Sequence, residues 1–129
     1  LIRKEKAFDL KQFVIWTLRK ASYRTKARSQ ALAACRVPVP ANYENKRLKF
    51  LHKCAACSSD FPQKEVQVDH IKPVVDPVKG FTTFDDYIVR MFCGPEGLQI
   101  LCVECHKLKT QQENKSRRES RLGDMNVDK

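Results

Sequence analysis

The sequence predicts an α+β protein: a basic, helical N-terminal region followed by a small module of short strands and helices built around a four-cysteine metal site. Three observations lead there. Apolar residues recur at helical spacing early in the chain, in Leu10, Val14, Leu18 and Ala21. Beyond Pro38 and Pro40 the pattern changes to short apolar pieces broken by turn residues. Two Cys-x-x-Cys pairs, Cys54/Cys57 and Cys102/Cys105, then lie far apart in the chain with ligand-like spacing.

The first element is a helix over residues 8–18, with Phe13 and Trp16 widening its apolar stripe. Ser22 is the expected start of a second helix that places Tyr23, Ala27, Ala31 and Ala34 on one face. Arg24, Lys26 and Arg28 load its other side with positive charge, either solvated or bound to phosphates. Proline forces extended backbone on itself and on its predecessor, so residues 37–45 read as a connector. Residues 48–51 and 65–68 are strand-like, the second alternating through Val66 and Val68. Pro73, Pro77 and Gly80 mark an irregular loop. Residues 83–92 form a short helix, with Thr83 as cap and Asp85 and Asp86 complementing the dipole of its first turn. A last helix over residues 102–121 is rich in Lys, Gln, Glu and Arg, and residues 122–129 read as a flexible tail.

Charge is distributed unevenly, and that narrows the partner. Residues 1–53 carry 14 Lys/Arg against 3 Asp/Glu, and residues 54–106 carry 4 against 8. An acidic centre between basic flanks suits a site that holds cations while its surroundings hold a polyanion. No apolar run approaches the length of a membrane span. Charges at Arg3 and Lys4 interrupt the N-terminus early, so no secretory signal is expected and a cytoplasmic location is. Thiols in a reducing compartment stay free, which favours metal binding over disulfides for the six cysteines.

Each Cys-x-x-Cys pair curls the backbone so that both sulfurs face one point, and four thiolates close the tetrahedral shell of a structural zinc ion. The competing readings are two disulfides or duplicated redox pairs, although the first pair lacks the strand–helix setting of a redox motif. Cys35 and Cys93 fall outside both pairs and read as small buried residues. A zinc held by four thiolates has no open position for water, so any hydrolysis needs a second centre.

VDHIKP, at residues 68–73, offers that centre. Adjacent residues at a strand end project to opposite sides, so Asp69 can ligate a hard cation while His70 activates water. His106 follows Cys105 directly. If zinc pins its helix against the Asp69 strand, the cysteine delivers His106 to the second cation.

Taken in order, CAAC, VDHIKP and GLQILCVECHKLKT resemble the HNH nuclease family, zinc-bearing and phage-type members included. The similarity spans residues 49–113, and residues 1–48 are not part of that signature. It implies a ββα-metal module over residues 46–121, after a helical region over residues 1–45. It implies His70 as general base, Asp69 and His106 as ligands of catalytic magnesium or manganese, and Cys54, Cys57, Cys102 and Cys105 as a zinc knuckle. The family's central asparagine is replaced here by Gly97.

The resulting expectation is metal-dependent hydrolysis of DNA phosphodiester bonds, with Lys107, Lys109, Arg117 and Arg118 contacting the DNA backbone from the last helix. Two rivals stand beside it. One is a zinc-dependent DNA-binding module with weak or lost catalysis. The other is an accessory nuclease acting with a phage packaging protein, in the cytoplasm of a bacterial host.

Overall fold

Asp9 opens the first helix by accepting a hydrogen bond from the Gln12 amide at 3.1 Å, which satisfies one of the free N–H groups of the first turn. Helix α1 therefore runs over Leu10–Ser22, starting later and ending later than expected. The computed structural model describes residues 7–127, apart from the side chains of residues 124–127. Within them lie four α-helices, a three-stranded antiparallel sheet and a two-stranded antiparallel sheet.

Ser22 closes α1 and does not open the next helix. Its hydroxyl donates back to the Arg19 carbonyl at 2.6 Å, so it caps no forward amide. Thr25, in extended conformation, precedes helix α2, Lys26–Ala34. The apolar stripe of α1 is not core either. Leu10, Phe13 and Trp16 remain 64%, 51% and 54% exposed, and no residue of α1 is fully buried. Among the described residues the helix rests chiefly on α3, which leaves much of its surface uncovered. By contrast, Ala31 of α2 is buried against Val66 and Ile100, with Leu32 and Cys35 packed around them.

The expected connector contains a strand. β1 (Arg36–Pro38) pairs antiparallel with β2 (Phe50–Lys53), which pairs with the short β3 (Asp60–Phe61). Pro38 is tolerated because β1 lies at the sheet edge, where a missing amide donor costs nothing. The second sheet joins β4 (Val66–His70) to β5 (Leu98–Cys102), in the register Val66↔Cys102, Asp69↔Gln99, His70↔Leu98. β5 was not expected from the sequence. Ile100, Leu101 and Cys102 are all buried, because α2 covers one side and β2 with the cysteine cluster the other. Burial on both faces erases the alternation that betrays a strand.

Helix α3, Phe84–Met91, forms as expected: the Thr83 hydroxyl accepts from the Asp86 amide at 3.1 Å. Helix α4, Val103–Val127, starts one residue after Cys102 and continues through residues 122–127, which were expected to be a tail. Residues 1–6 and 128–129 lie outside the described part of the chain. The division at residue 45 follows sequence character only, since α2 and β1 pack into the same framework as β2, β4 and β5. Among the described residues no helix is long and apolar enough to cross a membrane.

Candidate metal centre and adjoining cleft

Two sheet ends converge to make the cysteine cluster. Cys54 and Cys57 sit in the turn after β2, while Cys102 ends β5 and Cys105 lies in the first turn of α4. Their sulfurs all fall within 4.8 Å of one another. A tetrahedral ion with Zn–S bonds of about 2.3 Å separates its sulfurs by about 3.8 Å, so the cluster fits one such ion. The Cys57–Cys102 separation of 4.0 Å agrees. Backbone amides support the sulfurs: Cys102 N–H donates to Cys54 Sγ at 3.3 Å and Cys105 N–H to Cys102 Sγ at 3.5 Å. All six cysteines are free thiols.

The cluster's acid–base balance calls for a cation. Burial by itself pushes the Cys54 thiol up, but the amides of Cys57, Cys102 and Ala56, with the Cys57 side chain, bring it down to about 6. Hydrogen bonding to Cys102 and then burial, with Cys54 and Cys57 close by, push Cys105 up to about 12. Four sulfurs this close cannot all be thiolates without a positive ion between them.

The second centre lies where β4 meets α4. Asp69 is 14% exposed and points at the helix. Its Oδ1 lies 3.8 Å from His106 Nε2. Its Oδ2 accepts from Gln99 Nε2 at 3.0 Å and from the Lys109 ammonium. Gln99 reaches it because the strand register sets the two residues opposite each other on one face. Lys109 also donates to the His70 carbonyl and pairs with Glu113 at 3.3 Å. His106, Lys109 and Glu113 share a helix face through i, i+3 and i+7 spacing. Lys109 was expected on DNA; it is instead an internal counter-ion of Asp69. Lys107 and Arg118 are exposed, and Arg117 donates to Asn114 Oδ1 at 2.9 Å.

His70 turns the other way. Its Nε2 lies 2.9 Å from the Met91 carbonyl oxygen at the end of α3. A carbonyl only accepts, so Nε2 carries the proton and Nδ1 of the neutral ring is left as an acceptor. Met91 is buried, which holds the imidazole in place. The loop after His70 is braced by backbone: Ile71 N–H donates to Gly97 O at 3.0 Å, and Arg90 Nη1 donates to Pro73 O at 3.1 Å.

Asp69, His70 and His106 line one cleft of about 400 Å³. Its facing wall comes from α1, α2 and their junction, through Arg19, Tyr23 and Arg28. The three-residue site expected from VDHIKP and CHK is thus gathered in one place. Gln99, Glu113, the Met91 carbonyl and the Arg19–Tyr23–Arg28 wall were not expected there. The helical spacing of His106, Lys109 and Glu113 is a sequence signal for Glu113, and the basic face of the second helix is one for Arg28.

The arrangement can ligate a hard cation through one carboxylate oxygen and one imidazole, leaving its other positions to water and phosphate oxygens. It can also accept a proton at His70 Nδ1 a short way off. Comparison with protein-family models, with curated proteins and with solved structures finds no match for this chain.

Proposed function

We propose that the protein is a DNA endonuclease of the HNH type: a metal-dependent hydrolase of phosphodiester bonds whose ββα-metal module consists of β4, β5 and α4. The observation that carries this reading is the meeting of Asp69 Oδ1 and His106 Nε2 at 3.8 Å in the same cleft as His70, whose Nδ1 is left to accept a proton. The net charge of +10 supplies the attraction for a polyanion.

In this mechanism His70 Nδ1 takes a proton from a water molecule, and the oxygen so freed attacks phosphorus. The P–O bond opposite breaks, and the leaving oxygen is protonated from solvent. The Met91 carbonyl holds the imidazole in the required tautomer throughout and favours the imidazolium that forms. Asp69 and His106 would hold the divalent cation, with Gln99 and Lys109 fixing the Asp69 carboxylate. When bound, magnesium or manganese supplies the positive charge that offsets the developing charge on the phosphate. Zinc in the four-thiolate cluster is structural, since its shell is closed.

Plasmid nicking with added magnesium or manganese tests the reading. The wild-type protein should cut, and His70→Ala should lose nearly all cleavage while retaining DNA binding and zinc. Undiminished cleavage by His70→Ala would remove the role assigned to it. A second reading, a zinc-stabilised DNA-binding module with little hydrolysis, draws on Lys109, whose ammonium already neutralises Asp69. Binding without nicking at any divalent ion concentration would select it.

A further inference from the structure

The helical pair α1–α2 stands outside the proposed ββα-metal unit, yet it lines the same cleft as Asp69, His70 and His106. Arg19 and Arg28 both line that cleft, and among the described residues neither is in an ion pair. Arg28 is half-buried and stacks on Tyr23, its Cζ 4.7 Å from the ring centroid. Stacking occupies the guanidinium face and leaves its N–H edge free, the edge that binds phosphate oxygens in a fork. An arginine held in this way loses little freedom on binding.

The wall is anchored on both flanks. Tyr87, 2% exposed, donates from its hydroxyl to the Ile15 carbonyl of α1 at 3.5 Å, and Ala31 holds α2 against Val66 and Ile100. The α1–α2 junction is tied by local bonds, with the Thr25 hydroxyl donating to Ser22 O at 3.0 Å. Two unpaired cations on a fixed wall, opposite a carboxylate–imidazole pair, match a ligand that is negative along its length and is cut in between.

We propose that Arg19 and Arg28 grip the phosphates of the strand being cut, so that α1–α2 is the substrate-holding half of the cleft. This inference rests on the reading of Asp69, His70 and His106 as the hydrolytic centre. The two arginines act as positioning residues; they set which phosphodiester lies over His70.

The test measures binding and cleavage separately. Duplex DNA binding is followed by fluorescence anisotropy across a salt titration without divalent ions, and plasmid nicking is followed with magnesium or manganese. The probes are the wild-type protein, Arg19→Gln, Arg28→Gln, Arg28→Lys and the control Arg47→Gln, which removes an exposed charge elsewhere. Arg19→Gln and Arg28→Gln should each lower the log–log salt slope by about 0.9 and weaken affinity at low salt, as expected for one lost phosphate contact. Arg28→Lys should recover the slope but not full cleavage, because an ammonium restores charge without the fork. The control should do neither. Thermal unfolding matched to wild type shows that a variant's loss is not misfolding.

Wild-type slope and affinity in both Arg19→Gln and Arg28→Gln would overturn the inference and leave the nuclease reading standing. A slope lowered by the arginine variants in a protein that never nicks DNA would keep Arg19 and Arg28 as phosphate contacts and overturn both the nuclease reading and their positioning role. Failure of the wild-type protein to bind DNA would overturn both.

Discussion

At residue scale, the glycine at position 97 is explained by space and not by backbone conformation. A glycine in the Gly94–Gly97 turn could be required for a positive φ, but Gly80, at 72°, is the only glycine of that kind among the described residues. Gly97 is required for space: a Cβ there would meet Cys93 Sγ at 2.8 Å and Cys93 Cβ at 3.0 Å. Gly97→Asn should therefore destabilise the protein by about 1–3 kcal/mol in denaturant titration. Adding Cys93→Ala should restore part of that loss by removing the sulfur it strikes. Equal losses in the single and double variants would contradict the steric account. Lys109 has an outcome of the same kind. Lys109→Met leaves the Asp69 and Glu113 carboxylates beside each other with no cation between them. Stability should fall by about 1–3 kcal/mol, nicking should fall with it, and zinc content by elemental analysis should not change.

At element scale, α2 matters more than its short, polar sequence implies. Ala31 completes the cluster of Val66 and Ile100 under the sheet that carries Asp69 and His70. Deleting residues 1–45 therefore strips core as well as basic charge and the edge strand β1. A chain beginning at residue 46 should lack a cooperative thermal transition even with zinc present. Ala31→Asp in the full chain should cost about 2 kcal/mol or more, since it buries an unpaired carboxylate. A sharp transition from the truncated chain, matching the full one, would show that the module folds without α2. The role of α1 is different: it covers little, and its aromatic residues Phe13 and Trp16 contribute surface more than core.

At the scale of the whole molecule, the cysteine cluster is the joint between the two sheets. Cys54 follows β2 of one sheet, Cys102 ends β5 of the other, and Ala55 N–H donates to Ile100 O at 2.8 Å across them. Metal binding there is folding free energy, so chelation should lower the melting temperature sharply, and purified protein should carry about one zinc per chain. Cys57→Ser should reproduce the loss. The pH dependence has a definite sign. Metal-free Cys54, near 6, is already a thiolate at pH 7.5, whereas Cys105, near 12, must give up its proton to ligate. At least one proton therefore leaves as zinc enters, and zinc affinity should rise by about tenfold or more per pH unit between pH 6.5 and 7.5. Competition with a chromophoric chelator measures this, and a flat profile would contradict it.

From the sequence alone came the α+β class, the four cysteines whose cluster could hold a metal ion, the capped helix α3, and the grouping of Asp69, His70 and His106, which line one cleft. Each depends on a short-range pattern: ligand spacing, an N-cap, or neighbours along a strand end or helix turn. Tertiary structure decided the rest. Strand β5 was hidden because burial on both faces removed its alternation, and the stripe of α1 misled because helical spacing does not say whether another layer lies above it. Gln99 reaches Asp69 only through strand register, and Lys109 leaves the DNA-facing set only because α4 crosses β4 at that point. Arg28 enters the cleft because α2 docks on β5, and Arg19 because α1 rests on α3. Such contacts join residues far apart in sequence, and their geometry is settled by how the apolar faces pack, which no local pattern records.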